Sequence, residues 1–379
     1  MNTYIYRNIT PHVLEAHKYY PVILISGARQ VGKSTLCRHL FPDYKYINLE
    51  DSSTLFKATS DPKGFLESLG KFAIIDEAQR CPTLFSQIQV NVDLDPEIRY
   101  ILSGSSDFIL MKSACQSLAG RVALFTLPPL TLTELSNELK NVPTEQLFFR
   151  GFYPGVVSGN RPADTFYHNY YSTYIEKDIR TLLKIGNLTK FDTFMRLMAA
   201  RVGSESNASA LSGEVGVDSK TITEWISILQ TSFIIFPLRP YYINISKRLT
   251  KTPKWYFYDT GLATYLLGIE NPTQLISHPL KGALFENMAV SELMNRRLNE
   301  VRESNLSYYR ERNGKEVDII QTYPDGLKAY EVKSSKSFNS EFVKNLEYLK
   351  KILPQQPKST TVIYDGESFP PTTLNIRDI

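Results

Sequence analysis

Within the stretch Val22 to Leu36, VILISGARQVGKSTL, the residues Gly27-Ala28-Arg29-Gln30-Val31-Gly32-Lys33-Ser34 fit the spacing G-x-x-x-x-G-K-[ST], with Thr35 next in line. That spacing suits a loop wrapped around a phosphate chain. Gly27 and Gly32 free the backbone to turn tightly, so that successive N–H groups point inward at an anion. Lys33 supplies a point charge toward the β- and γ-phosphates. The Ser34 hydroxyl can ligate Mg²⁺, and a helix opening here presents its positive dipole end to the same anion.

A second group follows at Phe72-Ala73-Ile74-Ile75-Asp76-Glu77, an aliphatic run ending in two carboxylates. Behind a phosphate loop, Asp76 would hold the Mg²⁺ shell through water and Glu77 would orient or polarise an attacking water. The competing role for such a pair is a helix N-cap. The run Arg99 to Leu102 leads into Ser103-Gly104-Ser105-Ser106-Asp107, where a polar side chain can sense a γ-phosphate; Ser105 is the candidate. Arg121, after Gly120, either reaches a γ-phosphate, its own or a neighbour's, or forms a salt bridge at a helix end.

A third group lies near the C-terminus. Glu331 and Lys333 are two residues apart on a predicted strand, Lys328 to Lys333, and therefore share a face. Asp318 falls on the partner strand, Glu316 to Gln321, joined to it by the turn Pro324-Asp325-Gly326. Glu286 sits near the start of a predicted helix, Gly282 to Leu298. Clustered carboxylates repel unless a cation neutralises them, and a neighbouring lysine favours their ionised forms. An E-x-K pair on an antiparallel strand can equally be an exposed face.

These groups need elements to position them. Val22 to Ser26 reads as a buried parallel strand, Lys45 to Leu49 as a second, and Asp61-Pro62 starts a helix ending at Gly70. In the middle of the chain, Tyr167 to Leu183 and Phe191 to Val202 are amphipathic. A short helix to Val215, a Gly216 turn, an Asp218 N-cap, a helix bearing Ile222, Trp225, Ile226 and Leu229, and the strand Phe233 to Arg239 together read as a winged helix. Lys247, Arg248, Lys251 and Lys254, among Tyr241, Tyr242 and Trp255, would give its wing a phosphate-contacting surface; the alternative is a solvated hairpin.

At 379 residues the chain suggests about two or three domains. A formal net charge of +4 permits nucleic-acid binding without demanding it. Cys37, Cys81 and Cys115 form no C-x-x-C pair, which argues against a disulfide framework and a structural zinc site and for a reducing cytoplasm. No apolar run approaches the ~18 residues of a membrane span.

Taken in order, GARQVGKST, FAIIDEAQR, ILSGSSD and SLAGRV resemble the AAA+-related ATPases of bacteria and archaea, many of which carry a downstream domain of unknown function. The pieces FYPGVV, YIEKDI, FYDTGLA and LFENMAVSEL resemble that downstream region. The resemblance implies ATP binding and hydrolysis on a parallel five-stranded core. One departure is Gly151-Phe152-Tyr153-Pro154, where the family often shows Gly-Gly before an aromatic or Leu and a Pro. The helix glutamate, strand aspartate and E-x-K resemble the PD-(D/E)xK nuclease superfamily. By that resemblance Glu286, Asp318 and Glu331 would hold a second Mg²⁺ or Mn²⁺ and Lys333 would position a water.

The expected fold class is α/β: a P-loop NTPase parallel sheet, then a helical and winged-helix middle, then a C-terminal α/β nuclease-like domain. The expected boundaries are 1–140, 141–205, 206–258 and 259–379. One functional expectation is an ATPase whose nucleotide cycle repositions nucleic-acid contacts and a nuclease-like end. Another is an ATP-dependent switch or protein-binding module whose C-terminal domain does not cut. A small-molecule kinase fits the loop but is disfavoured by Glu77 beside Asp76, which suits water as acceptor. Oligomerisation is possible, and no membrane partner is expected.

Overall fold

A computed structural model of the chain describes residues 4–105, 117–135, 142–173, 188–242, 252–311, 314–354 and 356–379. The chain divides into two compact units. The first is Met1–Leu130 with Thr231–Phe233 and Arg297–Arg302, and the second is the remainder.

In the first unit, α1 (Thr10–His17) precedes β1 (Val22–Ser26), α2 (Lys33–Leu40), β2 (Lys45–Asn48), α3 (Ser52–Ser60), α4 (Pro62–Leu69), β3 (Phe72–Asp76), α5 (Thr83–Leu94), β4 (Arg99–Ser103) and β5 (Val122–Thr126). The strands form one five-stranded sheet in the order β2-β3-β4-β1-β5, and every pair is parallel. Parallel strands need covered faces, which is why β1 reads VILIS and is buried at all its positions. One face packs Leu24, Ile75 and Leu102 against Leu66, Phe85 and Ile88. Local signals set the helix ends: the Asp61 carboxylate accepts from Gly64 N–H at 2.9 Å, Pro62 follows it, and Gly70 closes the helix at φ 79°.

The second unit carries α6 (Thr144–Arg150), α7 (Ala163–Tyr170), α8 (Leu188–Ala200), α9 (Ala208–Val215), α10 (Ser219–Thr231), β6 (Ile235–Pro240), β7 (Lys254–Phe257), α11 (Thr260–Leu266), α12 (Lys281–Asn299), β8 (Leu306–Arg310), β9 (Glu316–Tyr323), β10 (Gly326–Lys333), α13 (Lys344–Ile352), β11 (Ser359–Tyr364) and β12 (Thr373–Asn375). Its strands form a seven-stranded mixed sheet, β12-β11-β10-β9-β8-β6-β7. α13 lays Leu346 and Leu349 on Val317, Ile320, Ala329 and Val362 of that sheet.

Two differences from the sequence reading follow. The strands expected to end a separate winged helix, β6 and β7, belong to the C-terminal sheet, because Arg239 and Pro240 pair in parallel with Ser307 and Tyr308 of β8. Strands of the regions 206–258 and 259–379 thus share one sheet, and the first unit's main segment closes at Leu130. Within α7, Tyr167 is helical as expected, while residues 174–183 of that expected helix lie outside the described residues.

The FYPGVV and FYDTGLA pieces meet at one buried carboxylate. Asp259 accepts from Phe152 N–H at 2.6 Å, from the Tyr167 hydroxyl at 2.6 Å and from Leu262 N–H at 3.0 Å. A Cβ on Gly151 would fall 2.0 Å from the Tyr167 hydroxyl oxygen, and Gly151 sits at φ 64°, so only glycine fits there. That glycine is thus needed for packing around Asp259.

Candidate functional site

The loop between β1 and α2 takes its shape from left-handed positions. Gly27, Gln30 and Gly32 have φ of 142°, 64° and 97°. A Cβ on Gly27 would lie 2.3 Å from the Leu127 carbonyl oxygen, so the loop can leave β1 only through a glycine. Arg7, buried, donates to the carbonyls of Val31 at 2.8 Å and Pro128 at 2.7 Å and braces the loop from the N-terminal segment. Arg29 reaches away from the loop to Glu50 at 3.2 Å. Ala28 and Val31 are buried, and Thr35 follows Ser34 in the first turn of α2.

Lys33 is buried under the loop, donating to the carbonyls of Gly27 at 3.0 Å and Ala28 at 2.8 Å. Burial brings its ammonium pKa down to about 8, against the opposing pull of Glu77 and Asp76. Asp76, at the end of β3, is a hub. Its Oδ2 accepts from the Ser34 hydroxyl at 2.5 Å and the Tyr46 hydroxyl at 2.7 Å. Its Oδ1 accepts from the Ser103 hydroxyl at 2.5 Å and Glu77 N–H at 3.1 Å. Residue 77 takes φ 54°, an uncommon conformation for a non-glycine residue and one concentrated at functional sites. The Glu77 carboxylate accepts from Gln79 Nε2 at 2.5 Å and from the Ser105 hydroxyl at 3.2 Å.

The structure thus brings Gly27 to Thr35, Asp76, Glu77 and Ser105 to the C-terminal ends of neighbouring strands. It divides the expected sensor position in two, with Ser103 on Asp76 and Ser105 on Glu77. Ser103 and Tyr46 were not singled out as site residues by the sequence reading. Ser103 had a readable signal, since it ends its strand as Asp76 ends the neighbouring one.

Arg121 stands elsewhere. β5 starts beside Val22 at the beginning of β1, whereas the loop leaves β1 after Ser26, a strand length of about 13 Å away. There Arg121 makes a two-pronged ion pair with Asp93, Nε at 2.5 Å and Nη2 at 2.8 Å, and caps the Ala119 carbonyl. Of the two readings of Arg121, the salt bridge is the one made within the chain. Arg121→Ala should leave phosphate release per chain unchanged at dilutions where the protein is monomeric. A loss of about 10³–10⁵ confined to concentrations that sustain an oligomer would instead place this arginine across an interface.

The second unit also gathers its expected residues. Asn287 of α12 accepts from Phe257 N–H at 2.7 Å and donates to the Phe257 carbonyl at 3.1 Å, which sets α12 beside β7. Glu286 consequently meets Lys254 Nζ at 3.0 Å and the Tyr256 hydroxyl at 2.5 Å. Lys254 also ion-pairs with Glu316 and lies 5.3 Å from the centroid of the Tyr308 ring. Asp318 accepts from Val332 N–H at 2.7 Å, with Lys333 Nζ at 3.8 Å. Lys333 donates to Glu331 Oε1 at 2.7 Å, while Glu331 Oε2 is buried with no hydrogen-bond partner.

Burial, and then the charge of Asp318, pushes Glu286 up to about 7 and Glu331 up to about 8. Burial raises Asp318 as well, against Lys333 and Lys254. Among the described residues no three His, Cys, Asp or Glu side chains converge on a point where they could hold a metal ion. Of the expected ligand set, Glu286 is ion-paired with Lys254, and Glu331 with Lys333. Lys254, expected on a solvated wing, is 3% exposed. Lys247, Arg248 and Lys251 lie outside the described residues.

Residues 19–136 match the AAA domain family, 143–273 a domain of unknown function (DUF8612) and 281–377 another domain of unknown function (DUF4143). Uncharacterized proteins of Mycobacterium bovis and Mycobacterium tuberculosis are each 31% identical over 281 residues, covering 72% of this chain and 62% of the relative. The chain thus spans less than two thirds of those relatives' length. An uncharacterized protein of Haemophilus influenzae is 22% identical over 283 residues, covering 65% of this chain and 69% of its own. Among solved structures, the Walker-type ATPase of Pyrococcus abyssi matches at 16% identity and a TM-score of 0.46, over 69% of this chain and 96% of that one. The signal transduction ATPase with numerous domains from Pyrococcus horikoshii matches at 11% identity and a TM-score of 0.28, over 80% of this chain and 49% of that one.

The first unit has a AAA-like P-loop NTPase fold, followed by a helical middle and a C-terminal α/β region built on a mixed sheet. Among the described residues no helix is long and apolar enough to cross a membrane.

Proposed function

We propose that the chain binds ATP with Mg²⁺, hydrolyses it at the β1–α2 loop, and uses its nucleotide state to govern contacts made by the second unit. The observation that carries this reading is the Ser34–Asp76 hydrogen bond at 2.5 Å, with Glu77 next in the chain and held by Gln79 and Ser105. Two hard oxygen donors at the foot of a glycine cradle fit a Mg²⁺ site, with Ser34 as direct ligand and Asp76 acting through water. Bound there, Mg²⁺ would neutralise charge developing on the transferred phosphoryl group. The chain's own work is division of labour. Lys33 leaves the Gly27 and Ala28 carbonyls for the phosphates, Asp76 orients the ion's shell, Glu77 aligns the attacking water, and Ser105 and Gln79 fix the Glu77 carboxylate.

Purified chain should release phosphate from ATP in magnesium and stop when the metal is chelated. No release, together with no binding of ATP by calorimetry, would reject the reading. DNA or another nucleic acid is the partner class suggested by the sequence, and affinity for a labelled duplex compared between ATP and ADP tests it. A second reading, in which the C-terminal region recognises a partner without cutting, is favoured by one specific contact. Lys254 is seated on Glu286, which the nuclease reading needs for metal.

A further inference from the structure

Ser34, Ser103, the Glu77 N–H and Tyr46 all donate to the Asp76 carboxylate, and Tyr46 does so from β2, an edge of the first unit's sheet. β2 and β3 run parallel with Tyr46 opposite Ile74 and Asn48 opposite Asp76. Tyr46 and Asp76 therefore share a face of the sheet, offset by two residues or about 7 Å along the strands. A phenol is long enough to span that offset, and its hydroxyl meets Oδ2 at 2.7 Å. A serine or threonine at this position would fall short. The Arg38 guanidinium of α2 lies 5.2 Å from the centroid of the Tyr46 ring. Burial, and then the bond to Asp76, pushes the phenol's pKa up, so the hydroxyl keeps its proton and stays a donor.

The two donors on Oδ2 differ in what nucleotide would ask of them. The Ser34 hydroxyl is a short rotor, and it leaves Oδ2 when its oxygen serves as a ligand to Mg²⁺. Ser103 and the Glu77 N–H remain on Oδ1. Tyr46 is then the side chain left on Oδ2, with its oxygen fixed by a rigid ring. A carboxylate with a donor on each oxygen is held in its plane, whereas one held at a single oxygen can swing. Tyr46 also lines a groove of about 460 Å³ with Thr35, Arg38, Phe41 and Ile74. Water from that groove can replace a missing hydroxyl, but it is not tied to the sheet.

We propose that Tyr46 is a positioning residue, whose hydroxyl keeps Asp76 Oδ2 in place when Ser34 turns to Mg²⁺ and so sets how strongly magnesium tightens ATP binding. The inference rests on the proposed Mg²⁺ role of Ser34 and Asp76. It adds a residue that neither the phosphate loop nor the carboxylate strand contains.

The test is the ATP affinity of the full-length protein, measured by calorimetry in excess magnesium and in chelator. The variant is Tyr46→Phe, which removes the hydroxyl and leaves the ring beside Arg38. Magnesium should tighten ATP binding by the parent, and should do so about tenfold less in Tyr46→Phe, the worth of one hydrogen bond to a charged group. In chelator the two proteins should bind ATP alike. A thermal melt followed by circular dichroism checks folding, and Tyr46→Leu is read in the same way if Tyr46→Phe is not folded. An equal magnesium effect in parent and variant overturns the proposal. So does a loss of the same size with and without magnesium, which marks a purely structural role. A parent whose ATP affinity ignores magnesium instead rejects the Mg²⁺ role of Ser34 and Asp76 itself, before any variant is read.

Discussion

ATP should bind Lys33→Ala about 10²–10⁴-fold more weakly than the parent. Lys33 is the cation beneath the loop, and its two hydrogen bonds run to the loop's own carbonyls, Gly27 and Ala28. A phosphate chain offers charged acceptors in their place. A hydrogen bond to a charged group is worth roughly 1.5–3 kcal/mol, so losing two such contacts gives the stated range at 1.4 kcal/mol per tenfold. Alanine also leaves the Gly27 and Ala28 carbonyls without that donor, so the loop itself should loosen. Calorimetry with ATP and ADP measures both affinities. Under the proposed role, in which the lysine turns to the terminal phosphates, the loss should be larger for ATP than for ADP, and equal losses would remove Lys33 from the γ-phosphate.

The loop was legible from sequence because its chemistry is contiguous. Gly27, Gly32, Lys33 and Ser34 act through backbone conformation and reach, both set within eight residues, and the structure gives those glycines the positive φ that the motif requires. Asp76 and Glu77 were legible for a similar reason, since an aliphatic strand ending in carboxylates carries its own direction. What was not legible is what braces them. Tyr46 meets Asp76 only because β2 pairs with β3 in the register Asn48 to Asp76, and Arg7 reaches Pro128 across most of the first unit. No local pattern encodes such long-range partners.

In the second unit, residue types misled where burial decided the outcome. Lys254 sits in a basic, aromatic stretch that reads as a wing, but the strand it opens is an edge of the C-terminal sheet, pinned by Asn287 of α12. There burial pulls its pKa down while Glu286, Glu316 and Asp318 outweigh that pull, and the net direction is upward, so the lysine stays charged. A buried lysine among carboxylates and a solvated lysine near DNA have the same sequence signature, and only the partner strand distinguishes them. Glu331 and Lys333, by contrast, were placed correctly on one face because a strand alternates strictly, and they bond at 2.7 Å.

Glu77→Gln should bind ATP like the parent yet release phosphate about 10²–10⁴-fold more slowly, the usual contribution of a positioned general base. The substitution keeps shape: a glutamine Oε1 can still accept from Gln79 and Ser105, which hold the carboxylate at 2.5 Å and 3.2 Å. It also keeps the backbone at φ 54°, a conformation held between β3 and the short turn Ala78–Arg80, so folding should be little changed. What it removes is the negative charge that can align and polarise water next to Asp76. Asp76→Asn offers the contrast, because it strips charge from the residue that collects Ser34, Tyr46 and Ser103 and should weaken magnesium-dependent binding together with turnover. Single-turnover phosphate release with separately measured ATP affinity distinguishes the two. If Glu77→Gln turned over at the parental rate with unchanged affinity, water activation would have to come from another group, and Ser105, which donates to that carboxylate, would lose its assigned role with it.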